Sequence, residues 1–167
     1  YAARKFGIKS AVPISQAWRL AEAARKKGEP ATVFLRGNYS LYREVSERIM
    51  AILVSYAGAF EQSSIDEAYL EPKFQNTSKP QTDPWITAEE RAVALKRKIL
   101  EQEGLTCSVG IGPNKLIAKI ASDFTKPDGL TLVRPEEAEK FLDPLPIRAI
   151  PGIGPKTETT LNQRGIR

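Results

Sequence analysis

Short strand-forming segments alternate with amphipathic helices along most of this chain of 167 residues. The clearest helix is predicted over Tyr39–Tyr56, where apolar residues recur every three or four positions. A second long helix is predicted from a capping box at residues 87–90 to Gly104. A strand over residues 106–111, with alternating apolar positions, precedes a further short helix. This alternation predicts an α+β fold, in which helices pack on a sheet.

The remaining elements are predicted from the same kinds of pattern, together with Pro and Gly as breakers. They are helices over residues 1–7, 15–24, 114–123 and 135–142, strands over 32–35 and 130–133, a hairpin over 60–70 and a loop over 71–85.

The composition excludes several kinds of chemistry. The chain has no histidine and a single cysteine, Cys107, so Ser-His catalysis, disulfide frameworks and cysteine zinc clusters are excluded within it. No apolar run approaches the roughly 18–20 residues of a membrane span, and a cytoplasmic location is predicted. The net charge is +5, with basic segments at 1–60 and 111–167 around an acidic one at 61–110. This arrangement suits a protein that binds a polyanion, although solvated helix faces explain it more simply.

Two adjacent carboxylates, Asp66 and Glu67, interrupt the apolar pattern of the predicted hairpin. Buried carboxylates need a compensating charge, and Mg²⁺, which prefers oxygen ligands, supplies one. Neighbouring side chains on a strand point to opposite faces, so both acids reach one ion only at a turn or a strand end. The alternative interpretation is a solvated turn that carries two acids.

Lysines follow the strand over residues 106–111. A Gly-Pro-Asn turn leads into a helix with Lys115 and Lys119 one turn apart, and Lys126 lies in a later Pro-Asp-Gly turn. A helix N-terminus with nearby lysines favours phosphate, although the spacing is not that of a P-loop.

Near the end of the chain, the glycines of the 151–156 segment resemble a helix-hairpin-helix turn. Such a turn directs backbone N–H groups at a DNA phosphate without reading bases. An ordinary helix–helix turn is the alternative. At the other end, Tyr1 and Arg4 are spaced to share one helix face, and alone they indicate surface residues.

Taken together and in order, four blocks resemble the DinB (DNA polymerase IV-like) branch of the Y-family lesion-bypass DNA polymerases. The blocks are YAARKFGIKSAVPI at 1–14, SIDEAYL at 64–70, CSVGIGPNKLIAKIASDFTKPDGL at 107–130 and PGIGPKT at 151–157. The second and third blocks are highly specific, and together the four span nearly the whole chain.

The resemblance implies a polymerase palm, with an antiparallel or mixed sheet and helices on one face, together with small fingers and the start of a helical thumb. Residues 1–38 would be part of the fingers, 39–133 the palm without its first strand, and 134–167 the start of the thumb with the helix-hairpin-helix. The implied activity is error-prone, template-directed DNA synthesis across damaged templates.

The resemblance also implies roles for individual residues. Asp66 and Glu67 would be catalytic and would bind two Mg²⁺ ions, one of which arrives with the nucleotide. Tyr1, Arg4 and Lys126 would hold the incoming deoxynucleoside triphosphate. The implied contacts with primer–template DNA are Ser64, Lys119, Gly152, Gly154 and Lys156. A sliding clamp would be a further partner, through segments outside this chain.

Two departures from the family pattern affect these expectations. The family has Tyr-Glu-Ala-Arg where this chain has Ala2 after Tyr1. The third carboxylate and the sugar-discriminating aromatic residue would precede Tyr1, so residues 1–167 alone are expected to be inactive. The alternative function is a non-catalytic DNA-binding protein with a polymerase-like body, and a nucleotide cyclase with a similar palm is a weaker one.

Overall fold

The first part of the chain is helical. In the computed structural model, which describes residues 1–73 and 83–166, the chain divides into two units, Tyr1–Tyr39 and Ser40–Arg167. The first unit contains a 3-10 helix at Ala2–Phe6 and helix α1 at Ile14–Arg25. The predicted helix over 15–24 is therefore confirmed. Helix α1 buries small side chains about one turn apart, which are Ala17, Ala21 and Ala24.

The strand predicted over residues 32–35 is wrong, because this segment forms no regular element. Val33 is 75% exposed and Leu35 is 85% exposed. A strand needs a hydrogen-bonded neighbour, and none of the described strands pairs with this segment. A short run of β-forming residues was not sufficient by itself.

The second unit begins with two long helices around a hairpin. Helix α2 spans Tyr39–Tyr56, as predicted, and helix α3 spans Pro84–Glu103. Between them lie strands β1 (Ala57–Gln62) and β2 (Ala68–Pro72), which pair in antiparallel fashion and confirm the predicted hairpin. The buried side chains at the centre of this part come from α2 and α3, and they are Ile52, Leu95 and Ile99.

Helix α3 begins earlier than the capping box at 87–90 predicts. Asp83 is its N-cap and accepts a hydrogen bond of 2.9 Å from the backbone N–H of Trp85, while Pro84 takes the first helical position. Thr87 therefore lies inside the first turn, where its hydroxyl donates to the Asp83 carbonyl. The helix ends at Gly104, as predicted, and this glycine has a left-handed φ of 66°. Most of the predicted loop, residues 74–82, lies outside the described residues.

A second, parallel pair of strands follows. Strands β3 (Val109–Ile111) and β4 (Leu130–Leu132) are joined through helix α4 (Lys115–Phe124). Strand β3 is shorter than the predicted 106–111, because its ladder extends only as far as its partner β4. Helix α4 lies so close to β3 that a Cβ at Gly110 would be 2.0 Å from the Ala118 carbonyl oxygen. The core here is formed by Ile117, Ala121 and Val133.

The last part of the second unit is helical. The helix predicted over 135–142 is a 3-10 turn at Pro135–Glu137 followed by α5 at Ala138–Leu142. A 3-10 turn at Ile147–Ala149 and helix α6 at Pro155–Gln163 complete the described chain. Within the described residues, no helix combines the length and the apolar character that crossing a membrane requires.

The predicted α+β class is confirmed, since helices accompany one antiparallel and one parallel pair of strands. The assignment of 1–38, 39–133 and 134–167 to three polymerase subdomains stays a prediction.

Candidate active site

Asp66 and Glu67 lie in the turn that joins β1 to β2. The backbone N–H groups of Ser63 and Ser64 donate to the Glu67 carbonyl oxygen at 2.9 and 3.1 Å and close the turn. Asp66 Oδ1 accepts a hydrogen bond of 2.7 Å from the Ser64 hydroxyl. Both carboxylates are exposed. Because they lie at a turn rather than within a straight strand, their side chains are not forced to opposite faces.

The turn is attached to helix α2 by a residue that the sequence did not single out. Ser46 is buried, with 6% exposure, and its hydroxyl donates to the backbone carbonyl of Ile65. A buried hydroxyl needs such a partner, so this hydrogen bond fixes the back of the turn to the core.

A chain of alternating charges connects the turn to helix α4. Glu67 forms an ion pair with Lys119, and Lys119 Nζ lies 3.6 Å from Asp123 Oδ2. Asp123 also forms an ion pair with Lys126, in the turn beyond the helix. The structure thus brings together three of the predicted site residues, Glu67, Lys119 and Lys126. Asp123 joins them, and its spacing of four and three residues from the two lysines is the signal that could have identified it.

These contacts shift the proton affinities of the central pair. Partial burial alone would raise the pKa of Asp123, but the hydrogen bond from Lys126 and the charge of Lys119 outweigh burial and lower this pKa. Partial burial alone would lower the pKa of Lys119, but the hydrogen bond with Glu67 and the charge of Asp123 raise it. At neutral pH both groups are therefore held in their charged forms.

The lowered pKa of Asp123 predicts a pH-dependent contribution to stability. Asp123→Asn should reduce the free energy of unfolding at pH 7 by at most about 1 kcal/mol, because solvent screens a half-exposed pair. A carboxylate with a lowered pKa stabilises the fold above the pKa of the unfolded chain, and this contribution is lost as the pH falls through the folded value. The difference between the two proteins should therefore begin to shrink as the pH falls below about 4, and it should vanish only below the lowered pKa of Asp123. Urea unfolding at pH 7, 5 and 3 measures it, and an unchanged difference at pH 3 would contradict this prediction.

The start of helix α4 is fixed against the same hairpin. The Asn114 side chain caps the helix by accepting a hydrogen bond of 2.9 Å from the backbone N–H of Ile117. Lys115 forms an ion pair with Glu61 of β1, and its Nζ lies 5.5 Å from the centroid of the Tyr69 ring on β2. Lys115 and Lys119 therefore both join α4 to the hairpin.

Tyr1 and Arg4 are close together in the first unit. The guanidinium carbon of Arg4 lies 5.6 Å from the centroid of the Tyr1 ring, and a guanidinium nitrogen donates to the Ser10 hydroxyl at 3.4 Å. Both residues are exposed.

The predicted helix-hairpin-helix turn leads into helix α6. Gly152 has a φ of 88°, a left-handed conformation that favours glycine. Gly154 is the N-cap of α6, and Pro155 is its first residue. Lys156 is exposed in the first turn of the helix. The turn therefore places a helix N-terminus and a lysine next to each other at the surface.

Across residues 1–73 and 83–166, no group of three or more Asp, Glu, His and Cys residues is placed to hold a metal ion. Asp66 and Glu67 are accordingly a pair of adjacent carboxylates rather than a complete ligand set.

Two segments of the chain match models of a known protein family. Residues 1–123 match the impB/mucB/samB (IMS) family, and residues 135–166 match the helix-hairpin-helix (HHH) motif of the IMS family. The chain belongs to the impB/mucB/samB family.

Curated relatives are similar over almost the whole chain. DNA polymerase IV 2 of Methanosarcina mazei is 49% identical over 166 residues, which are 99% of this chain and 41% of that protein. DNA polymerase IV of Listeria monocytogenes is 41% identical over 99% of this chain and 43% of its own length. The chain thus spans less than half the length of these relatives.

Solved structures have the same fold. DinB from Sulfolobus solfataricus has a TM-score of 0.84 and 37% identity, over 100% of this chain and 45% of that one. An insertion ternary complex of Dbh DNA polymerase has a TM-score of 0.84 and 39% identity, over 100% and 45% of the two chains. The resemblance to Y-family, DinB-like polymerases is confirmed, and the mixed helix and sheet fold matches the palm of these neighbours.

Proposed function

We propose that the whole protein is a template-directed DNA polymerase that copies damaged templates by nucleotidyl transfer. The observation that carries this proposal is the exposed Asp66–Glu67 turn, whose Glu67 pairs with Lys119. Asp123 in turn joins Lys119 to Lys126. Exposed carboxylates next to lysine ammonium groups can bind a cation and a phosphate together. The curated relatives named DNA polymerase IV support the same reaction.

The residues of the turn fit Mg²⁺. The ion prefers oxygen ligands, and proteins usually hold it by one or two carboxylates, with waters and substrate phosphates completing the coordination. Asp66 and Glu67 supply two exposed carboxylates, and we assign them to two Mg²⁺ ions, one of which arrives with the nucleotide. The chemistry that bound Mg²⁺ supplies is activation of the primer 3′-hydroxyl and neutralisation of phosphate charge.

The neighbouring side chains orient the two carboxylates. The hydroxyl of Ser64 donates to Asp66 and holds one of its oxygens. Lys119 donates to Glu67 and offsets the negative charge of the turn. With both side chains held before substrate binds, less conformational freedom is lost when the reacting groups assemble.

Substrate phosphates are assigned to basic and glycine-rich segments. Tyr1, Arg4 and Lys126 hold the triphosphate of the incoming nucleotide. Primer–template DNA is held by Ser64 and Lys119 at the turn, and by the backbone N–H groups around Gly152 and Gly154 with Lys156. A DNA polymerase bound in a ternary complex is among the similar structures, which supports both partners. The proposal also includes a sliding clamp as a further partner of the whole protein, and a location in the cytoplasm.

Loss of a phosphate-binding cation should weaken nucleotide binding. In the full-length protein, Arg4→Ala and Lys126→Ala should each raise the nucleotide KM roughly 10- to 150-fold, since a charge-assisted hydrogen bond contributes about 1.5–3 kcal/mol. Single-nucleotide incorporation on a primed template measures KM and kcat, and fluorescence anisotropy measures the Kd for DNA. Lys140→Ala, which removes an exposed lysine of α5, is the control and should leave the KM unchanged.

The same assay distinguishes the possible functions. An equal loss of DNA affinity in both variants would assign the two cations to template phosphates instead. A full-length protein that binds primer–template DNA but extends no primer would be a non-catalytic DNA-binding protein, the alternative that the helix-hairpin-helix turn favours.

A further inference from the structure

Lys96 of helix α3 reaches into the turn that follows Lys126. Its side chain is 17% exposed. Its ammonium group donates to the backbone carbonyls of Asp128 at 3.0 Å and Gly129 at 3.3 Å, and also to the Cys107 carbonyl and the Asp128 carboxylate. Local sequence patterns assign this lysine no role, because its partners lie 11 to 33 residues away.

These acceptors lie at the entrances to the two parallel strands. Cys107 precedes β3, and Asp128 and Gly129 precede β4. The Val109 N–H donates to the Gly129 carbonyl at 3.0 Å, and the Gly129 N–H donates to the Ser108 hydroxyl at 3.2 Å. Lys96 therefore joins helix α3 to the point where the two strands come together.

The turn needs such support. Asp128 has a φ of 53°, a left-handed conformation that residues with a Cβ rarely adopt. Asp123 of α4 holds the Lys126 side chain from one direction, and Lys96 of α3 holds the backbone two and three residues further on. Two helices thus fix one short turn.

We infer that Lys96 is a positioning residue for nucleotide binding, which holds the 126–129 turn so that the Lys126 ammonium is presented to the triphosphate. This inference rests on the proposed function, because Lys126 must bind nucleotide. Lys96 does not contact the substrate. It uses its charge to bind protein oxygens, and Lys126 uses its charge to bind phosphate.

The test uses the full-length protein with Lys96→Met, which keeps most of the aliphatic chain and removes the ammonium group. The nucleotide KM should rise about 10-fold, with kcat and the Kd for DNA changed less than about two-fold, because a misplaced cation loses contact with the phosphates. Lys96→Arg should restore most of the loss, since a guanidinium still donates to several oxygens. The matched control is Arg97→Met, which removes an exposed charge from the same helix and should change nothing.

A double mutant separates positioning from a general loss of stability. Lys96→Met combined with Lys126→Ala should have the KM of Lys126→Ala alone, because the turn has nothing left to position. Amide hydrogen exchange in residues 126–131 should be faster in Lys96→Met and unchanged in Arg97→Met. The inference is wrong if the effects of the two substitutions on KM multiply in the double mutant. It is also wrong if hydrogen exchange in Lys96→Met equals that of the unmodified protein.

These experiments distinguish failure of the inference about Lys96 from failure of the proposed nucleotide binding by Lys126. If Lys126→Ala raises the KM and Lys96→Met does not, the inference is wrong and the proposed function stands. If Lys126→Ala leaves the KM unchanged, Lys126 does not bind nucleotide, and the inference is then wrong together with this part of the proposed function.

Asp128→Asn replaces Lys96→Met if that variant fails to fold. Asparagine tolerates the left-handed φ at this position, and the substitution weakens one contact with Lys96. A two- to three-fold rise in KM is then expected, and no rise would overturn the inference.

Discussion

Replacing Asp66 with alanine should abolish primer extension by the full-length protein while its fold and its DNA affinity are retained. The loss should be on the order of 1,000-fold or more, because metal-assisted stabilisation of a phosphoryl transition state is worth several kcal/mol. The fold should persist because Asp66 is exposed and its hydrogen bond is to Ser64 within the same turn. Gel-resolved primer extension with all four nucleotides measures the rate, and circular dichroism checks the fold.

Glu71→Ala is the matched control for this prediction. Glu71 is an exposed carboxylate on β2 of the same hairpin, so its removal alters the charge equally without touching the turn. This variant should extend primers at the rate of the unmodified protein. Substantial extension by Asp66→Ala would show that the carboxylates of the turn are not catalytic.

Of the substitutions proposed here, Gly110→Ala is expected to cause the largest loss of stability. The added Cβ would lie 2.0 Å from the Ala118 carbonyl oxygen and 2.3 Å from the Ser122 backbone nitrogen. Backbone atoms cannot rotate away as a flexible side chain can, so helix α4 must move away from β3. A loss of about 3 kcal/mol or more in the free energy of unfolding follows from such overpacking. Chemical denaturation followed by circular dichroism measures it.

The control for this prediction is Gly154→Ala, where an added Cβ meets nothing within 4 Å and φ is −90°. This variant should change the free energy of unfolding by less than about 1 kcal/mol. A Gly110→Ala protein as stable as this control would mean that α4 does not pack as closely on β3 as the structure has it.

Much of the fold could be predicted because the determining interactions are local. The helix Tyr39–Tyr56 follows from its apolar stripe, and the end of α3 follows from the glycine at position 104. The start of α3 was misplaced because two capping patterns compete there, and Asp83 with Pro84 prevails over Thr87. The strand over 32–35 was wrong because pairing depends on a distant partner that a local pattern does not contain.

The candidate site also combines local features that the sequence predicts with long-range contacts that it does not. The adjacent acids and the turn that carries them could be predicted from the local sequence, since a hairpin is a short-range structure. The partner of Glu67 could not, because Lys119 is 52 residues away in the chain. Ser46 and Lys96 were missed for the same reason, as their acceptors lie on other elements. Sequence spacing identified which residues carry chemistry, and tertiary packing decided which of them meet.

The ion pairs between helix α4 and the hairpin affect how salt titrations of this protein should be interpreted. The Lys115–Glu61 pair is more than half exposed on both sides, so mobile ions screen it over a Debye length of about 8 Å at physiological ionic strength. The slope of DNA affinity against salt is normally converted into a number of neutralised phosphates. In this protein, added salt also weakens a contact that holds α4 beside the Asp66–Glu67 turn. If the protein binds DNA as proposed, we therefore expect part of the measured slope to report a change inside the protein. The apparent count of phosphates would then exceed the true one.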